Sequence, residues 1–171
     1  MKMTNILIIS ATMKTNYKLS KDIQIILKEY NVNTTLISLE NYDLPLYTDK
    51  AFKDGKNDYE TEINELTDCL VTNEGIIICG PEYNGSISPI ITNAIAWIST
   101  CSNYWKDSFE NKNFLIATSS GGLGNKFIMA MKIQLEHLGA IVMPKSINVN
   151  ENTPLKIESA KKILKQFITL I

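Results

Sequence analysis

The chain has 171 residues, enough for one domain with a substantial hydrophobic core. Its formal net charge is −1, which argues against an electrostatically driven nucleic-acid binder, a class that carries a basic patch or stripe. Every basic side chain is lysine and none is arginine, so an anion site here must use point charges, hydroxyls or backbone amides instead of a guanidinium fork. The first apolar run, over residues 5–9, predicts a strand, and 16–30 predicts a helix with Ile23, Ile26 and Leu27 as its inner stripe. A second strand is expected over 34–39. Residues 43–58 then form a polar connection with Leu44-Pro45-Leu46-Tyr47 embedded in it, suited to covering a sheet edge or joining a subunit contact. A helix over 59–72 leads to a third strand over 75–79. The next helix, over 89–100, has Pro89 at its first position and Ser88 as its cap. A fourth strand (113–118), a helix (125–138), a fifth strand (140–148) and a last helix (155–170, with Ile163, Phe167 and Leu170 inward) complete the order.

Strands and helices alternate, and the runs at 6–9 and 76–78 are continuously apolar, as in strands covered on both faces. This predicts a single α/β domain over residues 1–171, a flavodoxin-like three-layer sandwich around a five-stranded parallel sheet of order 2-1-3-4-5. That order is preferred because it gathers the loops after strands one, three and four around one crevice. A dinucleotide-binding Rossmann domain is the alternative. Its glycine-rich fingerprint should follow strand one, where Ser10-Ala11-Thr12-Met13-Lys14-Thr15-Asn16 contains no glycine.

Cys69, Cys79 and Cys101 form neither a CxxC pair nor a metal-ligand cluster, so no metal site is expected. Cys79 reads as a small buried hydrophobe within strand three. The odd count suits a reducing compartment, and the apolar start is too short to span a membrane and has no convincing cleavage site after it. A cytoplasmic protein without membrane insertion is expected.

Three loops carry the candidate chemistry. The first offers hydroxyls at Ser10, Thr12 and Thr15, the amide of Asn16 and the cation of Lys14, and it opens into a helix whose free N–H groups favour a phosphate. Read more plainly, the same hydroxyls cap that helix. The second, Pro81-Glu82-Tyr83-Asn84-Gly85-Ser86, can lay Tyr83 against a planar ring and expose N–H groups at an Asn84-Gly85 turn, with Glu82 holding the loop through backbone amides. The third, Ser119-Ser120-Gly121-Gly122-Leu123-Gly124-Asn125, lets backbone approach a ring closely. Taken together, a phosphate loop and two ring loops predict one noncovalent flavin mononucleotide (FMN) per chain.

These motifs resemble the NADPH-dependent FMN reductase family, most specifically over Pro81 to Ser86 and Asn93-Ala94-Ile95-Ala96-Trp97, then Ser119 to Gly124 and Leu138-Gly139-Ala140. The resemblance implies FMN held by Ser10, Thr12, Lys14, Thr15 and Asn16 at its phosphate, by Pro81, Glu82, Tyr83, Asn84, Gly85 and Ser86 at its ring, and by Ser119, Ser120, Gly121 and Gly122 on the ring's other side. It also implies a hydride donor, NADPH or NADH, a small acceptor such as a flavin or quinone, and a homodimer or homotetramer. Apolar positions Ile90, Ile91, Ala94, Trp97 and Ile98 offer a surface for that assembly. The chain departs from the family at Ala11 (usually glycine), Lys14 (usually arginine), Ala96 (often aspartate) and Asn125 (commonly glycine). No catalytic side chain is assigned, because a flavin carries the redox chemistry. His137 is expected at a helix end, Trp105 over a neighbouring active site, and Phe127, Met129, Met131 and Ile133 in the core or an interface. Two other functions fit the same residues: a flavodoxin-like electron carrier and a non-catalytic binding module.

Overall fold

The computed structural model describes residues 3–171. In chain order its first half contains β1 (Thr4–Ser10), α1 (Thr15–Leu27), β2 (Val32–Ser38), α2 (Asp49–Gly55), α3 (Glu60–Thr72) and β3 (Gly75–Cys79). Next come the short strands β4 (Glu82–Tyr83) and β5 (Ser86–Ile87), then α4 (Pro89–Cys101), α5 (Trp105–Phe109) and β6 (Asn113–Ser119). The chain finishes with α6 (Asn125–His137), β7 (Ile141–Val142), β8 (Ile147–Val149) and α7 (Ile157–Leu170).

The main sheet runs β2-β1-β3-β6, with β7 and β8 both pairing β6, and every pair is parallel. This is the expected 2-1-3-4-5 order with the fifth strand in two pieces. The continuous apolar strands serve two layers at once. Leu7, Ile9, Ile76, Ile78, Phe114 and Ile116 pack under α3, α4 and α6. Their neighbours Ile6, Ile8, Ile77, Cys79, Leu115 and Ala117 pack under α1 and α7.

Four expectations need correction. The strand predicted over 140–148 is broken: its pairing offset to β6 is 28 residues at Asn113–Ile141 and 30 at Ala117–Ile147. Two residues therefore loop out around Pro144, which has no N–H to give the ladder. The first helix stops at Leu27 instead of Tyr30, closed by a turn in which the Tyr30 amide donates to the Leu27 carbonyl (3.0 Å). Ser88 does occupy the position before α4, but its buried hydroxyl makes no capping bond. Most of the apolar surface offered for assembly is core: Ile91, Ala94, Trp97 and Ile98 are buried within the chain, and Ile90 is half-buried.

Ile91, Ala94 and Ile98 belong to the cluster beneath the sheet, and the connection after β2 closes over Trp97. The Asn93 side chain accepts from the Tyr47 amide (2.7 Å) and donates to the Pro45 carbonyl (2.9 Å). Trp97 Nε1 donates to the same carbonyl (2.8 Å), and the rings of Tyr47 and Trp97 meet edge to face at 5.2 Å. Trp105, in α5, is half-buried against the same hydrophobic cluster, where α5 meets α3 and α4, and it lines no part of the cleft edge described below. Phe127 and Met131 are buried, whereas Met129 and Ile133 are exposed, and His137 lies in the last turn of α6.

Candidate functional site

A parallel sheet delivers all its strand ends to one edge, and here that edge carries a cleft of about 250 Å³. Thr12, Lys14, Thr15 and Asn16 line one wall, Pro81, Glu82 and Tyr83 a second, and Ser119, Ser120 and Gly121 a third. The three loops picked from the sequence thus converge. Asn150 and Glu151, just after β8, complete the rim and were not anticipated. The signal that would have found them was positional: they follow the fifth strand at the same edge. A larger groove of about 480 Å³ lies between the Pro144 bulge and the start of α7, but none of the loops after β1, β3 and β6 contributes to it.

The phosphate-loop candidates divide into groups that face the cleft and groups that hold the loop. Thr12 is partly exposed, and Lys14 and Thr15 are exposed. Ser10 is fully buried, and its hydroxyl donates to the Thr12 carbonyl (2.7 Å). Asn16 is 1% exposed and binds Ser119 twice, Nδ2 donating to its carbonyl (3.0 Å) and Oδ1 accepting from its amide (2.8 Å). Two loops 103 residues apart are thereby stapled together. The backbone is held on further sides: the Ala11 amide donates to the Cys79 carbonyl (2.8 Å), and the Met13 amide to the Glu40 carboxylate. The first hydrogen bond into α1 runs from the Lys18 amide to the Lys14 carbonyl, so the N–H groups of the first turn remain for an anion.

The second wall is a small hairpin. Asn84 (φ 49°) and Gly85 (φ 72°) both sit in the left-handed region, the requirement of a two-residue type I′ turn joining β4 to β5. Glu82 does what its place in the loop suggested: its Oε2 accepts from the amides of Lys126 (3.0 Å) and Phe127 (3.3 Å) at the start of α6. That helix begins after Gly124 and has no side-chain cap of its own, so a carboxylate 44 residues before Lys126 supplies one. The Glu82 amide in turn donates to Ser120 Oγ (2.9 Å), which pairs with Thr118 Oγ1 at 2.8 Å.

The third wall is the open one. A Cβ added at Gly121 or Gly122 would meet nothing within 4 Å, so no protein atom requires glycine there. Gly124 differs, because a Cβ would come within 2.6 Å of Thr118 Cγ2. Asn150 Nδ2 donates to the Gly122 carbonyl (3.1 Å) and ties this loop to the fifth-strand rim. Of the predicted ring residues, Asn84, Gly85 and Ser86 form the hairpin tip beyond the lining, and Gly122 lies just outside it. Lys14 is the one lysine in the cleft wall, and Glu151 is the carboxylate there that carries no backbone bond among the described residues. Beneath the second wall, burial pushes the Cys79 thiol up to about 12, consistent with a packing residue and not a reactive one. No group of three or more His, Cys, Asp and Glu side chains is arranged to hold a metal ion among the described residues.

The family model for NADPH-dependent FMN reductase matches residues 4–154. A curated relative, the NADH:(hydroxy)cinnamate reductase subunit CrdA of Vibrio ruber, is 30% identical over 129 residues, covering 72% of this chain and 59% of that protein. The flavoenzyme NAD(P)H:(acceptor) oxidoreductase FerB of Paracoccus denitrificans superposes with a TM-score of 0.73 at 22% identity, over 98% of this chain and 94% of that one. An oxidoreductase from Corynebacterium diphtheriae superposes with a TM-score of 0.77 at 14% identity, over 99% and 97% of the two chains. At such identities the structural likeness speaks for the fold alone, but the family model spans the strands and all three loops of the cleft. The chain belongs to the NADPH-dependent FMN reductase family.

Proposed function

We propose that the protein is an NAD(P)H-dependent oxidoreductase that holds FMN in this cleft and reduces a small acceptor such as a flavin or quinone. The observation that carries the reading is the cleft's division of labour: hydroxyls, one lysine and a free helix N-terminus on one wall, with Tyr83 and the empty Cβ position of Gly121 on the others. That donor set fits a phosphate dianion at Thr12, Lys14 and Thr15, and the space beside Gly121 fits a planar ring. Bound there, FMN supplies the capacity to take up two electrons from a nicotinamide and release them to an acceptor. In sum, one NAD(P)H, one proton and the acceptor give NAD(P)+ and the acceptor reduced by two electrons.

The chain's own residues bind and orient. Lys14 contributes a charge-assisted bond without a guanidinium fork. Asn16, Glu40 and Ser10 keep the phosphate loop in one shape, and Glu82 with Ser120 sets the hairpin against the start of α6. No helix among the described residues is long and apolar enough to cross a membrane. The odd number of cysteines supports a reducing, cytoplasmic setting. Assembly as a homodimer or homotetramer remains part of the proposal on the family resemblance alone, since α4 does not supply its surface.

The deciding experiment is anaerobic absorbance of the FMN-loaded protein mixed separately with NADH and NADPH, then with a quinone. Loss of the oxidised-flavin band with either nicotinamide, and its return with quinone, is expected over repeated cycles. Reduction by a protein reductase but by neither nicotinamide would make the protein an electron carrier instead. Failure to bind FMN saturably would leave a binding module.

A further inference from the structure

The loops around the cleft expose apolar side chains and, outside the cleft lining, a lysine. Met13 and Tyr83 are each 48% exposed, and Leu123 is 68% exposed, one from each of the three converging loops. Lys126 lies in the first turn of α6 and across the hairpin tip: a Cβ on Gly85 would stand 3.1 Å from its Cδ and 3.5 Å from its Nζ. A cation in a helix's first turn faces the positive end of the dipole, so helix stability does not explain its placement. The adjacent carboxylate, Glu82, bonds to backbone amides, and no ion pair involving Lys126 is formed among the described residues. Lys14, the lysine lining the cleft, sits on the phosphate wall.

We infer that Lys126 binds the anionic group of the acceptor, and that the protein prefers planar, largely apolar acceptors bearing a carboxylate or sulfonate. The inference rests on the FMN-dependent reading above and names the substrate class of the same site. Tyr83 and Leu123, on the hairpin and on the loop entering α6, offer apolar surface for the body of such a molecule. Lys126 then provides a strongly hydrated point charge on a flexible stem at the same end. Because that charge is exposed, the effect is modest and screened by salt.

The test uses the FMN-loaded protein and two probes that differ in charge, anthraquinone-2-sulfonate and uncharged 2-(hydroxymethyl)anthraquinone. Binding to the oxidised protein is measured by equilibrium dialysis, and NADH- or NADPH-driven reduction is measured separately. Lys126→Gln should weaken binding of the sulfonate about 2- to 5-fold at low salt, with Lys126→Glu weaker still, and the difference should close in high salt. Neither variant should change FMN content or binding of the uncharged probe. Equal weakening for both probes would reduce Lys126 to a support of the hairpin and overturn the assignment, as would no change for either. If the unaltered FMN-loaded protein reduces neither probe with NADH or NADPH, the FMN-dependent reading itself falls and the acceptor assignment falls with it.

Discussion

At the scale of single residues, two buried side chains hold the first loop: Ser10 bonds to the Thr12 carbonyl, and Asn16 bonds to both backbone groups of Ser119. Ser10 and Asn16 read as phosphate ligands from their place after strand one, yet both side chains are spent on protein backbone. Asn16→Leu keeps the size and removes both bonds to Ser119, leaving a buried donor and acceptor unpaired. The variant should lose about 1–3 kcal/mol of stability by chemical denaturation and bind FMN more weakly than its residual fold alone explains. Lys14→Ala acts differently. It should weaken FMN binding by about 1–2 kcal/mol in calorimetric titration with an unchanged denaturation midpoint, because the ammonium is exposed and makes no bond among the described residues. Loss of stability in the lysine variant, or unchanged FMN affinity in both, would remove this loop from the phosphate site.

Among elements, the hairpin and α6 act as one unit through Glu82. Glu82→Ala deprives α6 of its cap and should cost about 1 kcal/mol, whereas Glu82→Gln keeps an acceptor and should cost less. FMN affinity should follow the same ranking, since the hairpin forms one wall of the cleft. The connection after β2 is a second unit, pinned by Asn93 and Trp97. Asn93→Ala should release residues 44–47, read as faster amide hydrogen exchange and earlier proteolytic cleavage there, with Leu46 already 74% exposed. Helical periodicity placed α4 correctly and marked its surplus of apolar positions. It could not say that a loop closes over Trp97, because that depends on a hydrogen bond to a carbonyl 52 residues away.

For the whole molecule, burial of the central sheet couples to pH. Cys79 is fully buried and its thiol is raised to about 12, against an ordinary value of 9.0. The unfolded chain therefore loses that proton first as pH rises. Stability due to this group should be level below about pH 9 and fall between there and about 12, and Cys79→Ala should flatten that slope in denaturation curves measured across the range. The same burial predicts that Cys79 escapes alkylation in the native protein and is modified once the chain unfolds. Light scattering over a range of concentrations tests assembly independently, with a homodimer expected and a monomer throughout counting against it.

The layered architecture, and the edge that carries the candidate site, follow from the order and polarity of the residues. Continuous apolar strands must be covered on both faces, alternation with amphipathic helices supplies the cover, and parallel strands send their following loops to one edge. The polar content of those three loops was also local information, down to the Asn84-Gly85 turn. Which polar groups remain free for a ligand depends instead on contacts between distant loops. Asn16 meets Ser119, Glu40 meets Met13, Glu82 meets the start of α6, and Asn150 closes the rim against Gly122. Each is a contact between loops far apart in the chain, set by how the strand ends are arrayed side by side. Local periodicity and turn chemistry carry no trace of such pairings.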